Sequence, residues 1–165
     1  MEIYLIRHGI AVERGIYAED AARPLTTQGI KRTTKIAQKL VKLNLQFDYL
    51  FSSPLVRARE TAEIVQQAGL ATTVISDRNL APAGNISSWL SWLKANYNET
   101  AKVALVGHQP DLGNWAELLV FGETKQNLRL KKAGIIGLKI YDSFNLLGNS
   151  EMFLLISPKW LLIDS

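Results

Sequence analysis

Through its first two-thirds the chain alternates short apolar runs with longer runs whose apolar residues recur at helical spacing. That rhythm leaves few folds open. Strand–helix alternation implies parallel strands, and a parallel sheet needs helices on both faces. Residues 2–6 read as a buried strand. Thr26 is placed to cap a helix running to about Leu43, with Ile30, Ile36, Leu40 and Leu43 as its apolar stripe. Residues 47–51 read as a second strand. Ser53-Pro54 then opens a helix, since proline at the first helical position sacrifices no hydrogen bond. Leu55, Ala58, Ala62 and Val65 form the stripe of that helix and Gly69 closes it. A strand at 72–75, an irregular stretch at 77–84, a Trp-rich helix at 87–97, a strand at 102–106 and a helix at 110–121 stopped by Gly122 come next. The rhythm then changes, and 134–141 and 151–156 read as two strands joined by a polar loop. The predicted architecture is α/β, a three-layer α/β/α fold whose central sheet is mostly parallel and ends in a C-terminal antiparallel strand pair. At 165 residues, with no repeat, low-complexity tract or linker, the span 1–165 reads as a single domain.

Open α/β sheets bind ligands at the carboxyl ends of their strands. The first strand ends in Arg7-His8-Gly9, the second in Ser52-Ser53 with Arg57 in the next helical turn, and the fourth in Gly107-His108-Gln109. The chain has only 2 histidines, and both fall on this rim. Taken singly, a histidine at a strand end is usually a satisfied polar group, and an arginine is usually solvated or paired. Independent causes of that kind would not select one rim. Arg59 falls about 200° round the helix from Arg57 and reads as surface. A metal site with Asp111 as third ligand is the first alternative, but Arg7 and Arg57 would repel a cation, which disfavours it. Two arginines and two histidines suit a phosphoryl group, because the guanidinium fork matches its oxygens. Helix N-termini near Pro54 and Pro110 add backbone donors. The same positive charges keep a nearby imidazole neutral, with a nitrogen free to attack phosphorus. Phosphoryl transfer through a covalent histidine is the chemistry these residues suggest.

These residues resemble the histidine phosphatase superfamily, the phosphoglycerate-mutase-like fold. Arg7-His8-Gly9 is followed in the family's order by Leu25-Thr26, Gly29, Ser53-Pro54-Leu55-Val56-Arg57-Ala58 and Gly107-His108, a likeness spanning residue 3 to about 115. Arg23-Pro24-Leu25-Thr26, Leu80-Ala81-Pro82-Ala83-Gly84 and His108-Gln109-Pro110 look most like the small SixA-type phosphohistidine phosphatases. The resemblance implies that His8 is the nucleophile and that Arg7, Arg57 and His108 surround the phosphoryl group. Gly9 would allow close backbone approach, Arg23 and Ser53 would line the substrate site, and the resemblance implies no metal or organic cofactor. Many relatives carry a Glu or Asp after the third strand as general acid. Here Arg78-Asn79-Leu80-Ala81-Pro82-Ala83-Gly84 holds no carboxylate, and Asp77 lies just before it. General acid help is worth about 10²–10⁴-fold for an alkoxide. A phosphoramidate tolerates its loss, because the leaving nitrogen can be protonated first.

The expected substrate is therefore phosphohistidine on a partner protein such as a phosphorelay transmitter domain. The rim loops 11–23 and 122–132 are too short for an enclosing lid, which fits a displayed phosphohistidine. The alternatives are a phosphatase for small phosphomonoesters or phosphoanhydrides using Asp77, a mutase, and a non-catalytic phosphoprotein-binding module. A formal charge of +4 with basic residues spread from Lys31 to Lys159 does not mark a nucleic-acid binder. Lys31, Arg32 and Lys35 read as a solvated helix face, and Trp89 with Trp92 as packing. No apolar run nears the ~20 residues that span a bilayer, no secretory leader is recognisable at MEIYLIRHG, and Cys 0 removes disulfides and thiolate chemistry. A cytoplasmic protein is expected. The oligomeric state and the packing of residues 159–165 are open from sequence.

Overall fold

The computed structural model describes residues 1–163; Asp164 and Ser165, the end of the span assigned to one domain, lie outside them. Among the described residues six strands form one sheet: β1 (Glu2–Arg7), β2 (Tyr49–Ser52), β3 (Ile75–Ser76), β4 (Lys102–Gly107), β5 (Ile135–Ile140) and β6 (Ser150–Ile156). Their order is β3-β2-β4-β1-β5-β6. β1 to β4 are mutually parallel, β5 is antiparallel to β1, and β6 is antiparallel to β5. The helices are α1 (Thr27–Lys42), α2 (Val56–Gln67), α3 (Ile86–Ala95), α4 (Asp111–Phe121) and α5 (Pro158–Leu161).

Side chains alternate across a strand, and here both faces are buried. Ile3, Leu5, Val103 and Leu105 join Trp89 and Leu93 of α3 and Leu112 and Trp115 of α4 in one core. Tyr4, Ile6, Ala104 and Val106 join Ile36 and Leu40 of α1 and Ala58, Ala62 and Val65 of α2 in the other. The expected α/β/α sandwich is therefore present, with its antiparallel pair at the β5–β6 edge. No helix among the described residues is long and apolar enough to cross a membrane.

Local details differ from the sequence reading in three places. In α1, Thr26 caps the helix as expected, its Oγ1 accepting from the Gly29 amide at 3.0 Å. The buried stripe, however, is Gly29, Thr33, Ile36, Ala37 and Leu40, and Ile30 and Leu43 are exposed. A Cβ on Gly29 would lie 2.1 Å from the Ile10 carbonyl oxygen, so this close approach fixes the rotation of the helix. In α2 the first helical residue is Val56, with Leu55 as N-cap. Ser53 Oγ accepts from the Leu55 amide at 3.3 Å, and that turn keeps Leu55 extended and Pro54 outside the helix. β3 is also shorter than expected, two residues against a predicted four.

The sheet register brings the ends of three strands level. Arg7 lies opposite Gly107 and Ser52 opposite Val106. The amide of His8 donates to the Gly107 carbonyl at 3.0 Å and that of Ser53 to Val106 at 2.9 Å. Three adjacent strands thus deliver His8, Ser53 and His108 to one edge.

Candidate active site

His8 and His108 are buried, with ring centroids 5.1 Å apart. His8 Nδ1 is 2.8 Å from the carbonyl oxygen of Gly9. A carbonyl only accepts, so Nδ1 carries the proton and Nε2 keeps its lone pair. Burial, then the His108 ring, with the Arg57 and Arg7 cations adding, push His8 down to about 3 against the Gly9 bond. Burial and then Arg57, with Arg7 and Arg23 adding and Asp20 opposing, push His108 to about 4. Both rings are neutral at pH 7. His108 Nε2 lies 2.8 Å from Ser53 Oγ, while His108 Nδ1 is buried without a protein partner.

Arg57 is buried at the start of α2. Its Nη1 donates to the Asp20 carbonyl at 2.7 Å and its Nη2 to Asp20 Oδ2 at 3.0 Å. Arg23, also buried, gives Nε and Nη2 to Asp20 Oδ1, each at 2.8 Å, and Nη1 to the Val12 carbonyl at 2.5 Å. Asp20, its own side chain half exposed, is therefore a carboxylate seated on two guanidinium forks. Desolvation opposes its ionisation, but Arg23 and Arg57 outweigh it and hold the carboxyl below the usual range. The Nε atoms of Arg7 and Arg57 are buried without partners.

Arg7 is steadied from the other rim loop. Its Nη1 donates to the Leu130 carbonyl at 2.6 Å. Gln109 holds the same loop, donating to the Leu128 carbonyl at 2.8 Å and accepting from the Leu130 amide at 3.3 Å. The loop is anchored beneath by buried Glu117, whose carboxylate accepts from the amides of Lys125, Gln126, Asn127 and Leu128. Desolvation would raise this carboxyl, and the four donors together hold it below the usual range.

All the predicted residues meet here, but some in unforeseen ways. Ser53 is committed to His108 and to the Leu55 amide. The side-chain direction of Gly9 faces Thr33, where a Cβ would sit 2.6 Å from Oγ1; its amide donates to Thr61 Oγ1 at 3.0 Å. Asp77 Oδ1 caps a short turn, accepting from the amide and side chain of Asn79 at 2.8 and 2.9 Å. Asp111 reaches the 80–84 segment instead, accepting from the Ala83 amide at 3.1 Å. Asp20, Thr61, Glu117 and Lys132 escaped the sequence reading. Thr61 had a signal, since it lies one turn after Arg57 and donates to its carbonyl at 2.7 Å. Lys132 lines one cavity with Arg7, and burial and then the nearby Arg7, Arg23 and Arg57 lower its ammonium, with Glu13 opposing. Among the described residues no three His, Asp or Glu side chains group as metal ligands.

A neutral imidazole with a free nitrogen, set among cations, is the arrangement a phosphoryl group requires. The sequence profile of the histidine phosphatase superfamily (branch 1) matches residues 3–82. Phosphohistidine phosphatase SixA of Escherichia coli (strain K12) is 31% identical over 126 residues, covering 75% of this chain and 77% of the relative. The chain belongs to the histidine phosphatase superfamily. It is thus a hydrolase of that superfamily, SixA-like in sequence and fold. A second relative, an uncharacterized protein of Picosynechococcus sp., is 51% identical over 164 residues, 98% of this chain and 99% of its own. The solved structure of the protein histidine phosphatase SixA complexed with tungstate superposes with a TM-score of 0.85 at 28% identity, covering 98% of this chain and 99% of that one.

Proposed function

We propose that this chain is a phosphohistidine phosphatase that hydrolyses phosphohistidine on a partner protein through a covalent intermediate on His8. The observation that carries the reading is His8 itself, with Nδ1 given to the Gly9 carbonyl and Nε2 left free beside Arg7, Arg57 and His108. Its Nε2 lone pair attacks phosphorus, the P–N bond to the partner's imidazole breaks, and the leaving nitrogen takes a proton from solvent water. Water then attacks the phosphorus on His8, the Nε2–P bond breaks, and inorganic phosphate leaves. Arg7 and Arg57 balance the phosphoryl charge, so no metal or cofactor is needed. Arg23 flanks them. Gly9 acts through its carbonyl, which fixes the His8 tautomer.

Ser53 sets the second imidazole. Its hydroxyl oxygen already accepts from the Leu55 amide. Donating its proton to His108 Nε2 leaves the imidazole hydrogen on Nδ1, the buried nitrogen with no protein partner. Nδ1–H is then a donor for a phosphoryl oxygen.

The substrate class rests on the proton inventory. Asp20, the carboxylate nearest the cations, is held ionised by Arg23 and Arg57 and serves poorly as an acid for an alkoxide. Phosphohistidine needs less help, and the name of the SixA relative points the same way. A cytoplasmic phosphorelay protein is the partner this reading implies.

The test is phosphate release by wild type and His8→Ala from a histidine-phosphorylated peptide and, in parallel, an alkyl phosphate. His8-dependent release from the peptide, with turnover of the ester lower by about 10²-fold or more, is the expected result. Equal or better turnover of the ester would overturn the phosphohistidine assignment. No His8-dependent release from either substrate would leave a binding module.

A further inference from the structure

Beyond the phosphoryl site the molecule carries a basic trough that the phosphoryl chemistry does not use. A cavity of about 580 Å³ opens against Arg7 and Ile10, the latter two residues past His8, and is lined by Arg32, Lys131, Lys132 and Lys159. A second depression, of about 390 Å³, shares Arg32 and Lys159 and adds Lys31 and Lys35 from α1. The two therefore adjoin at Arg32 and Lys159, and among the described residues neither lining contains a carboxylate or an aromatic ring. The ion pairs found among the described residues involve none of Lys31, Arg32, Lys35, Lys131, Lys132 and Lys159. All but half-buried Arg32 are exposed.

Three elements far apart in sequence supply these charges: α1, the loop before β5, and α5. A solvated helix face would explain Lys31 and Lys35 alone. It does not explain why the other two elements turn lysines into the same channel, where Glu13 is the carboxylate felt at Lys132 and is outweighed by Arg7, Arg23 and Arg57. One end of the channel is Arg7, whose guanidinium also serves the phosphoryl site. Single-stranded nucleic acid would call for stacking rings along such a groove; none is among its described lining residues, and the exposed Trp160 ring is engaged by Lys159 Nζ at 5.9 Å.

We propose that this trough docks an acidic face of the protein that displays the phosphohistidine, so that substrate choice is set by charge beside the phosphorylated residue. The inference rests on the phosphohistidine reading and adds a partner chemistry to it. Complementary charge at a rim mainly raises the encounter rate and is weakened by salt. The effect belongs in KM, leaving kcat unchanged.

The experiment uses two peptides of equal length, each phosphorylated on one histidine, flanked in one by glutamates and in the other by serines. Phosphoramidate serves as a substrate without flanks. Wild type is expected to show kcat/KM about tenfold higher for the glutamate peptide at low salt, with the difference in KM and lost at high salt. Lys131→Glu/Lys159→Glu is expected to abolish the preference while turning over phosphoramidate normally. Lys42→Glu/Lys94→Glu, with the same net charge, is expected to keep it. No preference in wild type, or an equal loss in both variants, would overturn the proposal.

Should wild type cleave neither peptide, the phosphohistidine reading fails by itself. Fluorescence anisotropy of the unphosphorylated glutamate peptide then decides the trough. Salt-sensitive binding lost in Lys131→Glu/Lys159→Glu would sustain the acidic docking face, and no binding would overturn it. Tighter binding of a single-stranded DNA oligonucleotide at the same lysines would also overturn it.

Discussion

At the scale of single residues, the site works by assigning a proton to each imidazole nitrogen. Gly9 does this for His8 through a backbone carbonyl, which no side-chain substitution removes. On the proposed tautomer Ser53 does it for His108 through the 2.8 Å contact to Nε2, and that arrangement is open to mutation. Ser53→Ala is expected to leave the fold intact and to erase the Nδ1–H preference of His108 in imidazole ¹⁵N spectra; unchanged spectra would refute the tautomer assignment. His108→Ala, which removes the donor itself, is expected to lower kcat by about 10²–10³-fold, the cost of losing one preorganised donor to a developing oxyanion. With only 2 histidines in the chain, both rings can be followed by NMR. Neither is expected to titrate between pH 8 and about 5, since they are pushed down to about 3 and 4. A midpoint near 6.5 for either would contradict the burial and cation argument.

At the scale of elements, the two rim loops are held by different means. The 12–24 loop is closed at its base, where Ala11 bridges Leu25, and pinned above by the Asp20 pairs. The 122–132 loop hangs from the Glu117 carboxylate. Glu117→Gln is expected to speed hydrogen exchange at the amides of Lys125, Gln126, Asn127 and Leu128, with β1 and β4 unaffected. The wild-type carboxyl is depressed by folding. Its contribution is therefore present above the usual carboxylate range and lost as pH falls through the lowered value, so the loop is expected to loosen in acid before the sheet does. The strands and helices are readable in the sequence because each has its own periodicity. The catalytic candidates are readable because strand ends carry them. Asp20 is hidden, since its partners Arg23 and Arg57 meet only when the 12–24 loop folds back over α2. Lys132 is hidden for the same reason, lying in a loop far from the other site residues in the chain. The rotation of α1 needs Gly29 against Ile10, a contact that no helical stripe encodes.

At the scale of the whole molecule, a site that keeps two imidazoles neutral exacts a cost in acid. Their folded pKa values lie below the ordinary value of 6.5, so the unfolded chain takes up protons first as pH falls. The stability they contribute is intact above about pH 6.5 and declines below it, by up to about 1.4 kcal/mol per histidine per pH unit until the folded values are reached. Urea unfolding of wild type between pH 7 and 5 is expected to show that decline, and His8→Asn to reduce its slope by about half. A flat profile would mean that the rings protonate without penalty.

The sheet order also governs when the molecule can assemble during synthesis. β1 is made first, but its neighbours in the sheet are β4 and β5, and its register pairs Glu2 with Lys102 and Lys139. β2 likewise waits for β4. A nascent chain that has emerged only to residue 101 can pair β2 with β3 alone, through two residues of each. So Arg7 and His8 leave the ribosome early and stay unassembled until some 100 further residues have emerged. Such long-range pairing slows folding and leaves apolar strands exposed meanwhile. A fragment ending at Ala101 is expected to lack cooperative unfolding and to bind chaperones, whereas one reaching Ile140 is expected to form the central sheet.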